Sequence, residues 1–255
     1  MVGGPQERIM VALDCERDRA LELARMLAGR ARWVKVGMTL YYAEGPAIVR
    51  ALKELGFDVF VDLKFHDIPH QVEGAARAAA AAGADLLTAH GLGSAAMLAA
   101  ARAGAGQAAG PGGRARVIAV TILTSMDVDA LASIGVDAPV EQEVERLARL
   151  AFGAGMDGIV CSPFEAARMR ELMGPDALIV CPGVRPAGAA RGDQCRVATP
   201  AEALSRGASH IVIGRPITEA PDPLAAFDEI ATSLEGVTGS APGPAIAADD
   251  TSQLR

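Results

Sequence analysis

Apolar runs, many of them carrying β-branched residues, recur along the chain at positions 8–13, 33–36, 57–63, 85–89, 115–121, 158–161, 177–181 and 210–213. Between most of them lie segments rich in Ala, Leu, Arg and Glu whose apolar positions follow helical spacing: 18–28, 46–55, 72–82, 140–154, 163–173 and 200–206. Strand then helix, repeated around eight strands, predicts an α/β protein built as a (β/α)8 barrel. An open doubly wound sheet shares the alternation, but the strand count and the lack of a Gly-rich turn after the first strand count against it.

The punctuation agrees with this rhythm. Ser162-Pro163 and Thr199-Pro200 read as capped helix starts, and Gly56, Gly83 and Gly207 follow helical patterns as stops. Two segments fall outside it. Positions 104–113 are rich in Gly and Ala and predict a flexible loop before the fifth strand; positions 236–255, rich in Gly, Ser, Pro and Ala, predict a disordered tail. With 255 residues and no internal boundary, the expectation is one barrel domain over 1–235 followed by that tail.

Composition narrows the classes of function. The hydrophobic fraction of 51% comes largely from alanine, and the longest apolar stretches, such as 78–84, are too short or too interrupted to span a bilayer. The start, Met1-Val2-Gly3-Gly4-Pro5-Gln6-Glu7-Arg8, lacks the basic region and apolar core of a secretory signal, so the expected compartment is the cytoplasm, with no membrane partner. Cys15, Cys161, Cys181 and Cys195 are widely spaced with no C-x-x-C pair and read as free thiols. A net charge of −7 and only nine aromatic residues disfavour nucleic acid as a partner. An anionic ligand must then be held by local groups.

Charge gathers where the third run ends, in Asp62-Leu63-Lys64-Phe65-His66-Asp67-Ile68-Pro69. Side chains two apart on a strand share a face, so Asp62 and Lys64 point the same way and Asp67 follows on the loop. An arbitrary D-x-K is most simply a structural ion pair. In a barrel, however, catalytic side chains come from the C-terminal strand ends, and polar residues gather there: Asp14 after the first strand, Lys35 in the second, His90 after the fourth, Thr124 and Ser125 after the fifth, Arg185 and Gln194 after the seventh. An alternating set of Lys35, Asp62, Lys64 and Asp67 compensates its own charges and keeps Lys64 protonated, ready to deliver a proton.

The loops after strands seven and eight are where barrels often hold phosphate. Here they read Cys181-Pro182-Gly183-Val184-Arg185-Pro186, running on to Gly192-Asp193-Gln194, and Ile213-Gly214-Arg215-Pro216. Arginine forks match phosphate oxygens, and a glycine lets backbone N–H approach closely, so the ligand expected is a phosphate ester. Other candidates are weaker. His66 and His70 are four apart, yet Pro69 interrupts a helix there and no third ligand has metal spacing, so no metal is expected. Cys181 has no cationic base nearby in sequence, Ser125 lacks a nucleophile elbow, and His210 reads as structural.

These motifs, together with Val11-Ala12-Leu13-Asp14, Lys35-Val36-Gly37 and Thr121-Ile122-Leu123-Thr124-Ser125-Met126, resemble in their order the bacterial orotidine 5′-phosphate decarboxylases. The resemblance implies a homodimeric TIM barrel that converts orotidine 5′-monophosphate to uridine 5′-monophosphate and CO2, the last step of de novo pyrimidine nucleotide synthesis, with no cofactor. It makes Lys64 the proton donor to C6, sets Asp62 beside the departing carboxylate, and sends Asp67 into the partner subunit's site. It gives Lys35 and Asp14 the ribose hydroxyls, Thr124 and Ser125 the pyrimidine, and Arg185, Gln194, Gly214 and Arg215 the phosphate. Ile68 and Gln71 join the substrate contacts. Many relatives read Ile-Pro-Asn-Thr where this chain has Ile68-Pro69-His70-Gln71; the family's threonine contacts ligand across the dimer, so Gln71 implies altered affinity more than lost chemistry. Two rivals stay open: a metal-dependent sugar-phosphate decarboxylase or aldolase on the same barrel, and a noncatalytic nucleotide-binding barrel.

Overall fold

A computed structural model of the chain describes residues 4–109, 113–186 and 198–237. Among these residues, β1 (Ile9–Ala12), β2 (Trp33–Gly37), β3 (Asp58–Phe65), β4 (Leu86–His90), β5 (Arg116–Val120), β6 (Gly158–Val160), β7 (Leu178–Cys181) and β8 (His210–Ile213) pair in parallel, each with the next, and β8 closes onto β1. The expected barrel is the observed one. Its strands fall on the eight apolar runs, with ends displaced by one or two residues where hydrogen bonding fades.

Strand alternation divides the core into two layers. Met10, Trp33, Phe60, Leu86, Ile118, Leu178 and Val180 face the axis and plug the barrel. Their neighbours, among them Ile9, Val11, Val34, Val59, Val61, Leu87 and Ile179, face outward against the helices. Burying one such large side chain stabilises the fold by about 1.5–3 kcal/mol, so both layers resist a shift of register that would exchange their faces. At the N-terminal end of the barrel, ion pairs tie strand starts to neighbouring segments. Lys53 meets Asp85 at 2.7 Å, Arg32 meets Asp58 at 2.7 Å, and Asp157 takes the Arg114 guanidinium and the Val117 N–H.

Several local expectations hold. Thr199 caps the helix Pro200–Ser205 in a reciprocal box with Glu202, and Gly56, Gly83 and Gly207 adopt the left-handed backbone that ends a helix. Others need correction. Ser162-Pro163 opens a turn, Glu165 being the residue before the helix Ala166–Met173. The loop expected over 104–113 begins inside a helix, Ala95–Gln107. Gly104 is there for close packing: a Cβ on it would lie 2.1 Å from the Glu73 carbonyl oxygen in the neighbouring helix Pro69–Ala81. An alanine-rich segment without a polar stripe hides its helical period, which explains the misreading.

Helices Met38–Glu44, Val128–Ser133, Arg215–Thr218 and Pro223–Ser233 carried too few turns or too little contrast to be read in advance. Among the described residues no helix is long and apolar enough to cross a membrane. Of the expected tail, Gly236 and Val237 are described and 238–255 lie outside.

Candidate active site

The C-terminal strand ends surround a cavity of about 730 Å³. Its floor is apolar, made by the inward side chains of Phe60, Val120, Val160, Val180 and Val212, and its walls carry the charges. Asp14, Lys35, Asp62, Lys64, Thr124, Ser125, Arg185, Gly214 and Arg215 all line it, so residues far apart in sequence arrive at one place because each lies on a barrel strand or in the segment that follows one.

The charges alternate. Lys35, 7% exposed, holds the Asp14 carboxylate at 2.9 Å and the Asp62 carboxylate at 3.7 Å, while Lys64 Nζ donates to Asp62 Oδ1 at 3.0 Å. Each buried charge thereby keeps an opposite neighbour, without which its desolvation would be prohibitive. Gly37 makes room for the first pair: a Cβ there would stand 2.7 Å from Asp14 Oδ1 and 3.1 Å from Lys35 Nζ. The second pair stands at an irregularity in its strand. The β3–β4 register shifts between Val61 and Phe65, and Lys64 takes a left-handed φ of 51°, which is strained for a side chain of this kind.

Across the cavity, Val184 bridges to Ala198 and Arg185 N–H donates to the Ala198 carbonyl, pinning the chain on either side of 187–197. Among the described residues, Arg185 Nε is buried without a hydrogen-bond partner. A buried guanidinium donor left unpaired is unfavourable, and an incoming anionic oxygen would satisfy it. Gln194 lies outside the described residues. Gly214 has ordinary space around it, a Cβ meeting Ala12 at 3.5 Å, so crowding within the chain does not explain this glycine.

Asp67, Ile68 and Gln71 do not line the cavity of their own chain. All three are exposed, Ile68 to 62%, and the Asp67 carboxylate accepts the Ile68 N–H at 2.6 Å at the entry to the helix Pro69–Ala81. His66, once paired by spacing with His70, instead stacks on His90 at 5.3 Å. Burial, then His66 and Lys64, push His90 below its ordinary value. No three His, Cys, Asp or Glu side chains gather as a metal site among the described residues.

Sequence reasoning missed three contributors. The apolar floor was visible only as alternate positions in strands. Cys15 and Arg19 line the rim, where burial pushes the Cys15 thiol up against the downward pull of Arg19. Thr88, inward on β4, bonds to both members of the Asp62–Lys64 pair. Its signal was the period of Leu86, Thr88 and His90, which places a hydroxyl beside the β3 carboxylate.

Residues 7–230 match the family described as orotidine 5′-phosphate decarboxylase / HUMPS. An orotidine 5′-phosphate decarboxylase from Anaeromyxobacter sp. is 58% identical over 231 residues, covering 90% of this chain and 99% of that protein. One from Moorella thermoacetica is 52% identical over 236 residues, covering 91% and 94%. The crystal structure of orotidine 5′-phosphate decarboxylase from Lactobacillus acidophilus superposes with a TM-score of 0.80 at 36% identity, over 89% of this chain and 99% of that one.

Proposed function

The chain belongs to the orotidine 5′-phosphate decarboxylase / HUMPS family, and from that membership and the chemistry of its cavity we infer that it decarboxylates orotidine 5′-monophosphate to uridine 5′-monophosphate and CO2, a step of pyrimidine biosynthesis. One observation carries the reading: the Asp14, Lys35, Asp62 and Lys64 network opens into the same cavity as Arg185 and Arg215. Charge chemistry and an anion grip share one chamber.

In this reading the phosphate sits with Arg185, Arg215, Gly214 and Gln194, and the ribose hydroxyls meet Asp14 and Lys35. The pyrimidine lies by Thr124 and Ser125 with its carboxylate toward Asp62. The C6–carboxylate bond breaks, CO2 leaves, and the electron pair remains on C6, where the Lys64 ammonium stabilises it and then transfers a proton; solvent returns the proton to Lys64. The 3.0 Å contact with Asp62 supports this role, since it aims the ammonium before substrate arrives. Asp62 beside the substrate carboxylate adds repulsion that bond cleavage relieves. Phosphate binding, remote from C6, supplies orientation, so a substrate lacking phosphate loses turnover as well as affinity.

The exposure of Asp67, Ile68 and Gln71 supports a homodimer in which they complete the partner's site. We take 1–235 as the catalytic unit, and the cytoplasm, where pyrimidine synthesis needs the product, as its compartment.

The test is an assay of orotidylate absorbance on chelator-treated protein. Turnover unchanged by chelation is expected. Activity lost on chelation favours the metal-dependent sugar-phosphate rival, and nucleotide binding without turnover favours the noncatalytic barrel.

A further inference from the structure

We propose that Thr88 is a positioning residue for the reaction, its hydroxyl holding both the backbone of Lys64 and the carboxylate of Asp62 in working geometry. Thr88 lies on β4 with no exposed surface and does not itself line the cavity. Its Oγ1 accepts the Lys64 backbone N–H at 2.9 Å and donates to Asp62 Oδ1 at 3.0 Å. The same Oδ1 receives Lys64 Nζ at 3.0 Å. One hydroxyl therefore closes a ring through the lysine backbone, the aspartate and the lysine ammonium.

The need for such a clamp arises from the backbone. Between Val61 and Phe65 the β3–β4 register shifts, and the Lys64 N–H is taken by the threonine side chain. Lys64 meanwhile sits at φ 51°, a conformation that persists only where its surroundings impose it. The hydroxyl's hydrogen is committed to Asp62 and a lone pair to Lys64, so neither is free to rotate. Without the hydroxyl, Asp62 keeps Lys64 at 3.0 Å and Lys35 at 3.7 Å, but the Lys64 N–H loses its partner on β4 and the left-handed turn is tied to that strand only by the pairing of Phe65 with Ala89 that follows it. The ammonium and carboxylate would then move together away from the position that C6 and its carboxylate occupy.

This inference rests on the decarboxylase reading. The experiment compares the parent with Thr88→Val, Thr88→Ala and Thr88→Ser, measuring kcat, KM for orotidylate and affinity for uridine 5′-monophosphate. In Val and Ala, kcat is expected to fall by about 10- to 100-fold, the effect of a displacement on the order of 1 Å at reacting groups. KM and product affinity are expected to stay within about twofold, because the phosphate grip is across the cavity, and Ser is expected to recover most of the loss. An unchanged kcat in either hydroxyl-less variant overturns the proposal. So does equal loss of kcat and product affinity, or a Ser variant as impaired as Val. Absence of turnover in the parent would instead sink the decarboxylase reading.

Discussion

Replacing Lys64 by alanine and, separately, by glycine pulls activity and stability apart. Both changes remove the ammonium. The loss combines general acid catalysis, about 10²- to 10⁴-fold, with electrostatic stabilisation of the carbanion, about 10²- to 10³-fold, so turnover is expected to fall by at least ~10⁴-fold. Stability responds differently. Asp62 keeps a hydrogen bond from Thr88 at 3.0 Å and Lys35 at 3.7 Å, so removing Lys64 does not strand its charge. What remains is the backbone at φ 51°, which glycine adopts freely and alanine does not. Alanine at such a site is less stable than glycine by about 1 kcal/mol, which in a barrel of this size places the glycine variant's Tm about 2–4 °C above the alanine variant's. Thermal unfolding followed by circular dichroism, beside the orotidylate assay, measures both. Retained turnover in either variant would refute Lys64 as proton donor. An alanine variant melting at or above the glycine variant would refute a strained backbone at this position.

Three further outcomes are expected. Arg215→Ala weakens binding of uridine 5′-monophosphate by about 10- to 150-fold, the worth of a charge-assisted hydrogen bond, while uridine binding barely changes; equal losses measured by titration calorimetry would contradict the phosphate role. If Asp67 completes the partner's site, Lys64→Ala and Asp67→Ala subunits are each inactive alone, but co-expressed at equal levels they regain about a quarter of parental activity, since half of the dimers are mixed and each has one intact site. No recovery would mean that each chain completes its own site. His210, packed edge-on against Trp33 with Arg116, Arg8 and Arg32 nearby, is pushed down to about 3, burial being the main cause. Because its folded value is depressed, the unfolded chain binds the proton first as pH falls below about 6.5, and His210 subtracts up to about 1.4 kcal/mol of stability per pH unit from there to pH 4.5. Denaturant midpoints at the two pH values measure this, and a His210→Gln variant with the same pH slope would refute it.

The chain declares its barrel because the two periods that matter are local. Runs such as 33–36 and 177–181 alternate with helical segments such as 140–154, and each can be recognised from its own residues. The charged motifs were equally visible, since Lys35, Asp62-x-Lys64, Arg185 and Gly214-Arg215 interrupt an apolar strand pattern or follow it closely. Helix Ala95–Gln107 was lost because its glycines read as a loop until Gly104 is seen against the Glu73 carbonyl.

Tertiary structure decided how the charges are held. Thr88 is 26 residues from Asp62 in sequence, and only the β3–β4 register brings its hydroxyl to that carboxylate. The left-handed turn at Lys64, the room that Gly37 leaves for Asp14 and Lys35, and the burial of an Arg185 Nε that is unpaired among the described residues likewise show only in the folded barrel. The outward placement of Asp67, Ile68 and Gln71 belongs with these. A sequence reports which groups are available, because composition and period are properties of neighbouring residues. Which of them touch depends on register and closure, which exist only once the whole sheet has formed.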